Sequence, residues 1–222
     1  MLEVSRKPLT IAQKSLLSAP VAGQQPDDIC LAGRIPQDLL KITRAKRRAF
    51  LDARREANVI EHLIKLPQPD ESLHIIIDGR FEPCDIIPAT RRLSDPATIK
   101  HLTITTLGLN EDNVSTICNG MDAGKIGSLT LITSHYFRGN ERPLFEWMKK
   151  EIESRGGLVR GLRSHSKLIL MEMSDGNCYT VEGSANLRSC KSIEQLCMTN
   201  DRSLLEFHRN WIEEFIVSSK QK

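Results

Sequence analysis

The sequence predicts an α/β domain built around a sheet with crossover connections. Strand-like segments alternate with helical patterns from about residue 73 to residue 157, and a β-hairpin pattern follows near the end of the chain. Alternating strands and helices are typical of sheets whose strands are joined by helical crossovers. The composition of the 222 residues, 40% apolar and 27% charged, is that of a globular chain.

The middle of the chain supplies the alternating elements. Short runs rich in β-branched and apolar residues predict strands, and apolar residues at helical spacing predict helices. The predicted strands are His74–Asp78, Cys84–Pro88, His101–Leu107 and Leu129–Thr133, and the predicted helices lie between Asn110 and Gly124 and from Glu141 to Arg155.

The end of the chain carries the hairpin. Two strands, Lys167–Met173 and Cys178–Glu182, flank a turn with Asp175-Gly176 at its centre, and Asp-Gly is a strong hairpin signal. A further strand at Glu194–Thr199 completes the predicted sheet. A closing helix at Arg202–Val217 is expected to face the sheet with Leu205, Trp211, Ile212 and Phe215.

The first third is organised differently. Residues 1–33 contain three prolines and no sustained periodicity, which predicts a mobile N-terminal arm. Residues 34–67 predict a basic amphipathic helix, in which Arg47 and Arg48 are candidates for binding phosphate groups. The simpler interpretation, a solvated face of a packing helix, stays open because Arg and Lys are also good helix formers.

Composition excludes several classes of protein. The apolar runs are much shorter than the roughly 18 residues that cross a bilayer, and the N-terminus lacks a secretory pattern, so we expect a cytoplasmic chain without membrane contact. The six cysteines form no C-x-x-C pair of the kind found in zinc sites. The net charge of +3 is too small to identify a nucleic-acid binder by itself.

The candidate catalytic residues lie at the two open ends of the predicted hairpin. Alternate residues of a strand share a face, so His165 should project with Lys167, and Ser184 with Asn186. An imidazole nucleophile, a cation and neutral donors are what cleavage of a phosphodiester requires. Glu194 is the candidate carboxylate that orients the imidazole.

These residues form a recognisable signature. His165-x-Lys167 followed by Gly183-Ser184-x-Asn186 resembles the HxK and GSxN motifs of the phospholipase D superfamily, and Ser192-x-Glu194 is similar to the segment that follows in its small bacterial endonucleases with a single motif. The resemblance implies a mixed sheet flanked by helices, with one catalytic half per chain, over residues 70–219. It also implies structural support from Gly183 and from Glu172, which stands where the family has Asp.

The resemblance further implies a mechanism. Members of the superfamily use two HxK motifs, so a chain with one motif is expected to form a homodimer with a shared site. His165 would form a phosphohistidine intermediate, while Lys167, Ser184 and Asn186 hold the phosphate. No metal ion and no cofactor are implied, and we expect activity in EDTA.

The expected substrate is nucleic acid, either DNA or RNA, because the chain is small and has the basic segment from Lys41 to Arg55. Arg138 and His135, which follow a predicted strand, are further candidates for substrate binding. Three alternatives remain: an inactive nucleic-acid-binding accessory protein, a lipid-headgroup phosphodiesterase, and a merely structural role in which His165 caps a strand.

Overall fold

The computed structural model describes residues 55–61, 63, 65–79, 81–188 and 192–219. The predicted arm at 1–33 and most of the predicted basic helix at 34–67, with Arg47 and Arg48, lie outside the described residues. Of the described residues in that second segment, 55–61 and 63 are helical and 65–67 are not.

The described residues form a seven-stranded mixed sheet with the strand order β1-β7-β6-β5-β2-β3-β4. Strands β2, β3 and β4 pair in parallel, and the remaining pairs are antiparallel. The strands are β1 Ser72–Ile77, β2 Ile99–Thr106, β3 Leu129–Ser134, β4 Leu158–Leu162, β5 Leu168–Met173, β6 Cys178–Gly183 and β7 Glu194–Asn200. The predicted α/β fold is confirmed.

Helices cover both faces of this sheet. Along β5, Leu168 and Leu170 pack with α5, whereas Ile169 and Met171 belong to the larger core with the other helices. Alternate residues of a strand point to opposite faces, so α5 lies on one face and the others lie on the opposite one. The helices are α1 Ile86–Leu93, α2 Glu111–Asp122, α3 His135–Asn140, α4 Arg142–Glu153 and α5 Arg202–Ser219. No helix in the described ranges is long and apolar enough to cross a membrane.

One predicted strand is wrong. Residues 84–88 do not form a strand, because a 3₁₀ turn at Pro83–Asp85 leads directly into α1. The Asp85 carboxylate accepts the backbone N–H of Glu82 at 2.7 Å, which is a helix-start interaction. Pro83 and Pro88 both lie in first turns, where a helix tolerates proline. Capping therefore outweighs the apolar run that suggested a strand.

Two elements have no counterpart in the sequence prediction. Residues 135–140 form the short helix α3 instead of a polar loop, and Ser134 starts it by accepting the N–H of Phe137 at 3.0 Å. After α4, Gly156 adopts a positive φ of 78° and turns the chain into β4. Strand β4 is only five residues long and contains Arg160 and Gly161, which hide its pattern. The other predicted elements are confirmed within a few residues.

The strand register brings the candidate residues to one end of the sheet. Leu168, the first residue of β5, pairs with Thr105 near the end of β2, and Gly183, the last of β6, pairs with Leu196 near the start of β7. We call this end, where β2, β3, β4 and β6 finish, the carboxyl end of the sheet. Loops at such an end are the usual place for binding sites in α/β proteins.

Candidate active site

His165 and Lys167 lie in the loop between β4 and β5. Both residues precede β5, so the strand pleat invoked in the prediction does not align them. Their side chains meet nevertheless: Lys167 Nζ lies 3.4 Å from His165 Nδ1 and donates to the His165 carbonyl at 3.3 Å. The intervening Ser166 donates its hydroxyl hydrogen to Thr105 Oγ1 at 2.9 Å, and its Oγ lies 2.7 Å from Ser164 Oγ. Hydrogen bonds to β2, rather than the pleat of a strand, therefore fix the loop.

Gly183 ends β6 at the carboxyl end of the sheet. A Cβ atom built on this residue would lie 2.2 Å from the Gln195 carbonyl oxygen and 2.6 Å from Leu196 Cδ2. Backbone at that distance cannot yield, so only glycine allows β7 to pack this closely. The glycine of the motif thus has a steric role, in keeping with its predicted supporting function.

Ser184 is attached to the start of β7. Its Oγ accepts the backbone N–H of Gln195 at 3.1 Å and donates to the Glu194 carboxylate. The structure therefore brings Glu194 beside Ser184, where the carboxylate orients the hydroxyl. The role of Glu194 towards His165 stays a prediction.

Asn186 is attached to the end of β2. Its Oδ1 accepts the backbone N–H of Leu107 at 3.2 Å, and the next residue, Leu187, donates its N–H to Thr106 Oγ1 at 3.1 Å. With Oδ1 engaged, the Nδ2 group is the part of the amide that can donate to a phosphate oxygen. Sequence reasoning missed Thr106 and Leu107, because no local pattern connects them to the motif.

Glu172 lies far from these groups. It is five residues beyond Lys167 along β5, which corresponds to roughly 16 Å of strand. Its Oε2 accepts from Arg209 Nη1 at 3.1 Å, so the carboxylate links β5 to α5. This position is compatible with structural support and not with contact to a phosphate at the carboxyl end.

His135 and Arg138, the predicted binding residues of α3, are both exposed. His135 directly follows β3 and therefore lies at the carboxyl end of the sheet. The Arg138 stem packs closely over Gly161 of β4, and its guanidinium lies 5.7 Å from the centre of the Phe145 ring. Arg138 thus has a packing role whether or not it binds substrate.

An open cleft of about 630 Å³ adjoins His165. One wall is the β4–β5 loop and the other is α5. The lining residues are Arg163, Ser164, His165, Ser166, Trp211, Glu214, Phe215 and Ser218. Sequence reasoning placed Trp211 and Phe215 against the sheet and missed this cleft, because helical periodicity does not reveal which loop lies beside a helix.

Trp211 is held by a chain of polar contacts. Its indole Nε1 donates to His208 Nδ1 at 3.1 Å, and His208 Nε2 lies 3.1 Å from the Glu182 carboxylate. An acceptor Nδ1 requires the ring proton on Nε2, and this nitrogen lies near the carboxylate without making a hydrogen bond to it. The orientation of the indole is therefore tied to β6, the strand that ends in Gly183.

The two half-motifs meet at the open ends of one hairpin: His165 and Lys167 precede β5, and Gly183 to Asn186 end β6. The chain resembles the phospholipase D superfamily. No family model matches the sequence, and no curated protein matches it.

Several solved structures are similar to the domain that the structure describes. A phospholipase D family member, Nuc, from Salmonella typhimurium is 14% identical with a TM-score of 0.49, covering 65% of this chain and 94% of Nuc. Polyphosphate kinase from Porphyromonas gingivalis is 12% identical with a TM-score of 0.46, covering 65% of this chain and 24% of the kinase. A mutant of yeast tyrosyl-DNA phosphodiesterase is 14% identical with a TM-score of 0.38, covering 58% of this chain and 30% of the phosphodiesterase.

Proposed function

We propose that the chain is a metal-independent phosphodiesterase that cleaves nucleic acid through a phosphohistidine on His165. The observation that carries this proposal is the 3.4 Å approach of Lys167 Nζ to the His165 ring, at the end of the hairpin that also bears Ser184 and Asn186. A nucleophile, a cation and polar donors thus lie at one end of the sheet, where an open cleft gives access to His165.

Lys167 and Asn186 supply the positive charge and the amide donor for the phosphoryl oxygens. The Lys167 ammonium has three donors, of which the described contacts occupy only part, and the Asn186 amide is held with its Nδ2 group available. Groups fixed in this way stabilise the charge that develops on phosphorus without rearranging during the reaction.

In the proposed first step, an unprotonated nitrogen of His165 forms a bond to phosphorus while the bond from phosphorus to the leaving oxygen breaks. A proton from a second group neutralises that oxygen. In the second step, water attacks the phosphohistidine, gives its proton back to the second group, and releases His165 together with the phosphate monoester.

One imidazole cannot be both nucleophile and acid in the same step. We therefore propose a homodimer in which His165 of the partner subunit supplies the proton. A twofold axis through the site would place the two imidazoles on opposite sides of one phosphate. The position of His165 in an exposed loop is compatible with such an arrangement.

Nucleic acid is the proposed polymer because basic groups extend beyond the catalytic residues. The sequence from Lys41 to Arg55 is strongly basic. Cationic side chains in such numbers favour a substrate with repeated phosphates.

The test compares wild type with His165→Ala on single- and double-stranded DNA and RNA in excess EDTA. We expect wild type to cleave in the chelator and the variant to lose activity by about a thousandfold or more, as when a covalent nucleophile is removed. His74→Ala is the matched control, because His74 is exposed on β1 and belongs to no proposed site.

Each other result contradicts the proposal in a different way. Cleavage that survives in His165→Ala excludes the phosphohistidine, and activity that needs a divalent ion excludes the metal-independent mechanism. Binding of nucleic acid without cleavage by either protein indicates the accessory-protein function. Cleavage of lipid headgroups, without cleavage of nucleic acid, indicates a lipid-headgroup phosphodiesterase.

A further inference from the structure

We propose that the cleft between the β4–β5 loop and α5, called here the α5 cleft, holds an unpaired nucleobase beside the phosphate that His165 attacks. The chain would then cleave single strands in preference to duplexes. This inference rests on the proposed function and deepens it, because it names the form of the substrate.

The α5 cleft is continuous with the proposed catalytic group. His165 lies in its wall, together with the neighbouring Ser164 and Ser166. A ligand that fills the cleft while its phosphate touches His165 is therefore within about one nucleotide of the bond that breaks. The volume of about 630 Å³ lies inside the usual range for sites of small ligands.

Two aromatic rings form the opposite wall. Trp211 and Phe215 are four residues apart on α5, so they are neighbours on one helix face, and both are only partly buried. Partly exposed aromatic faces beside a phosphate site are the feature by which proteins stack the bases of single strands.

The indole is oriented before any ligand arrives. Its Nε1 bond to His208, and the contact of His208 with Glu182, connect the cleft wall to the strand that carries the GSxN segment. A ring fixed in this way loses little conformational freedom on binding, which favours a specific stacking site over a general apolar surface.

The charges of the lining select a base rather than a second phosphate. Arg163 and Glu214 both line the cleft, so one positive side chain is balanced by one carboxylate. A carboxylate repels a phosphate group but accepts hydrogen bonds from the N–H groups of a base. The neutral, flat part of a nucleotide therefore fits this lining better than its backbone does.

A duplex should bind this site less tightly than a single strand. Its bases are stacked on one another, and exposing one of them costs a few kcal/mol of unpairing and unstacking energy. A single strand offers the same ring without that cost. The selectivity thus follows from the position of the rings next to the catalytic loop.

The first test uses Trp211 as a reporter of binding. The chain has only two tryptophans, so Trp147→Phe leaves Trp211 as the sole indole, and His165→Ala prevents cleavage. We expect the fluorescence of the double variant to change on addition of a single-stranded oligonucleotide and to change much less with the same sequence as a duplex. Equal changes, or none, would overturn the inference.

The second test measures cleavage of two single strands of equal length, one intact and one with abasic sites. We expect wild type to prefer the intact strand by about tenfold in kcat/KM, within the range for loss of one stacked base. In Trp211→Leu this preference should fall towards one, whereas the matched control Trp147→Leu should keep it. Because each preference is a ratio within one protein, a partly unfolded variant does not imitate the result.

The outcomes separate this inference from the proposed function. Cleavage that depends on His165 but shows neither the strand selectivity nor the preference for intact strands leaves the phosphodiesterase standing and excludes the base site. Fluorescence changes specific for single strands without any cleavage support the base site and exclude the enzyme. If the fluorescence of Trp211 changes with the concentration of the protein and not with that of the oligonucleotide, a second copy of the chain fills the cleft. This result excludes the inference.

Discussion

Gly183 is a residue of the GSxN motif for which the structure shows a steric role. We expect Gly183→Ala to lower the free energy of unfolding by about 1–3 kcal/mol, the usual cost of overpacking, because the added methyl group would collide with the Gln195 carbonyl. Urea denaturation measures this directly. Gly139→Ala is the matched control, since a Cβ there meets nothing within 4 Å. Equal stability of the two variants would contradict the close approach of β6 and β7.

Asn186 combines a structural contact with a proposed substrate contact, and one substitution can separate them. Asn186→Asp keeps an oxygen for the Leu107 N–H but replaces the Nδ2 donor by a second oxygen that carries negative charge. We therefore expect kcat to fall by about a hundredfold or more, as for loss of a donor to a developing oxyanion, with little change in the urea midpoint.

The control for Asn186→Asp is Asn119→Asp, which makes the same chemical change at an exposed position of α2. We expect it to leave activity unchanged and to lower the free energy of unfolding by no more than about 1 kcal/mol, the usual size of a charge effect in the last turn of a helix. If Asn186→Asp unfolds at a lower urea concentration than wild type but its folded form keeps the wild-type kcat, the amide has only a structural role in the loop.

The β5–β6 hairpin is the element whose importance the sequence predicted best. Its Asp175-Gly176 turn and its two motif ends are local in sequence, and Gly176 adopts the positive φ of 93° that such a turn requires. What could not be predicted is how the ends are held. Ser166 binds Thr105 and Asn186 binds Leu107, and neither contact has a signature within its own segment.

Strand β2 contributes a titratable group to the contact between the sheet and α5. Burial is the main factor that lowers the pKa of His101; Arg209 lowers it further, and Glu172 opposes the shift. The folded protein thus binds a proton at this ring less readily than the unfolded chain does. Stability should therefore fall as the pH drops below about 6.5 and should rise again towards neutral pH.

His101→Gln should reduce this dependence. We expect the loss of unfolding free energy between about pH 7.5 and about pH 5.5 to be smaller in the variant than in wild type, because Gln does not titrate. Chemical denaturation at the two pH values gives the comparison. His74→Gln, on exposed β1, should retain the wild-type slope. An unchanged slope in His101→Gln would show that other groups cause the acid sensitivity.

The other elements show where sequence patterns fail. The apolar run around Ile86 looked like a strand, but the interaction of Asp85 with the Glu82 N–H starts a helix there. The α5 cleft could not be foreseen either. Helical spacing correctly grouped Trp211 with the buried side of α5, but the exposure of its ring depends on the end of β4, an element without a clear pattern.

At the scale of the whole molecule, the proposed shared site would make activity depend on pairs of chains. If each site needs His165 from both subunits, a dimer with one His165→Ala chain is inactive. Wild type and variant, unfolded and refolded together in equal amounts, should then keep about a quarter of the activity of the same total amount of wild type. Chains that act alone should keep about half. In the control, the two proteins are refolded separately and then mixed. This mixture should keep about half of the wild-type activity whether the site is shared or not.

The bond between Asn186 and Leu107 spans 79 residues of sequence. The β5–β6 hairpin, although its two ends adjoin the HxK and GSxN motifs, cannot complete the proposed site before β2 has docked beside β5. Long-range pairing of this kind forms slowly compared with a local turn. If the chain cleaves nucleic acid as proposed, the recovery of cleavage after denaturation should therefore report the late pairing of β2 with β5 and not the early formation of the hairpin.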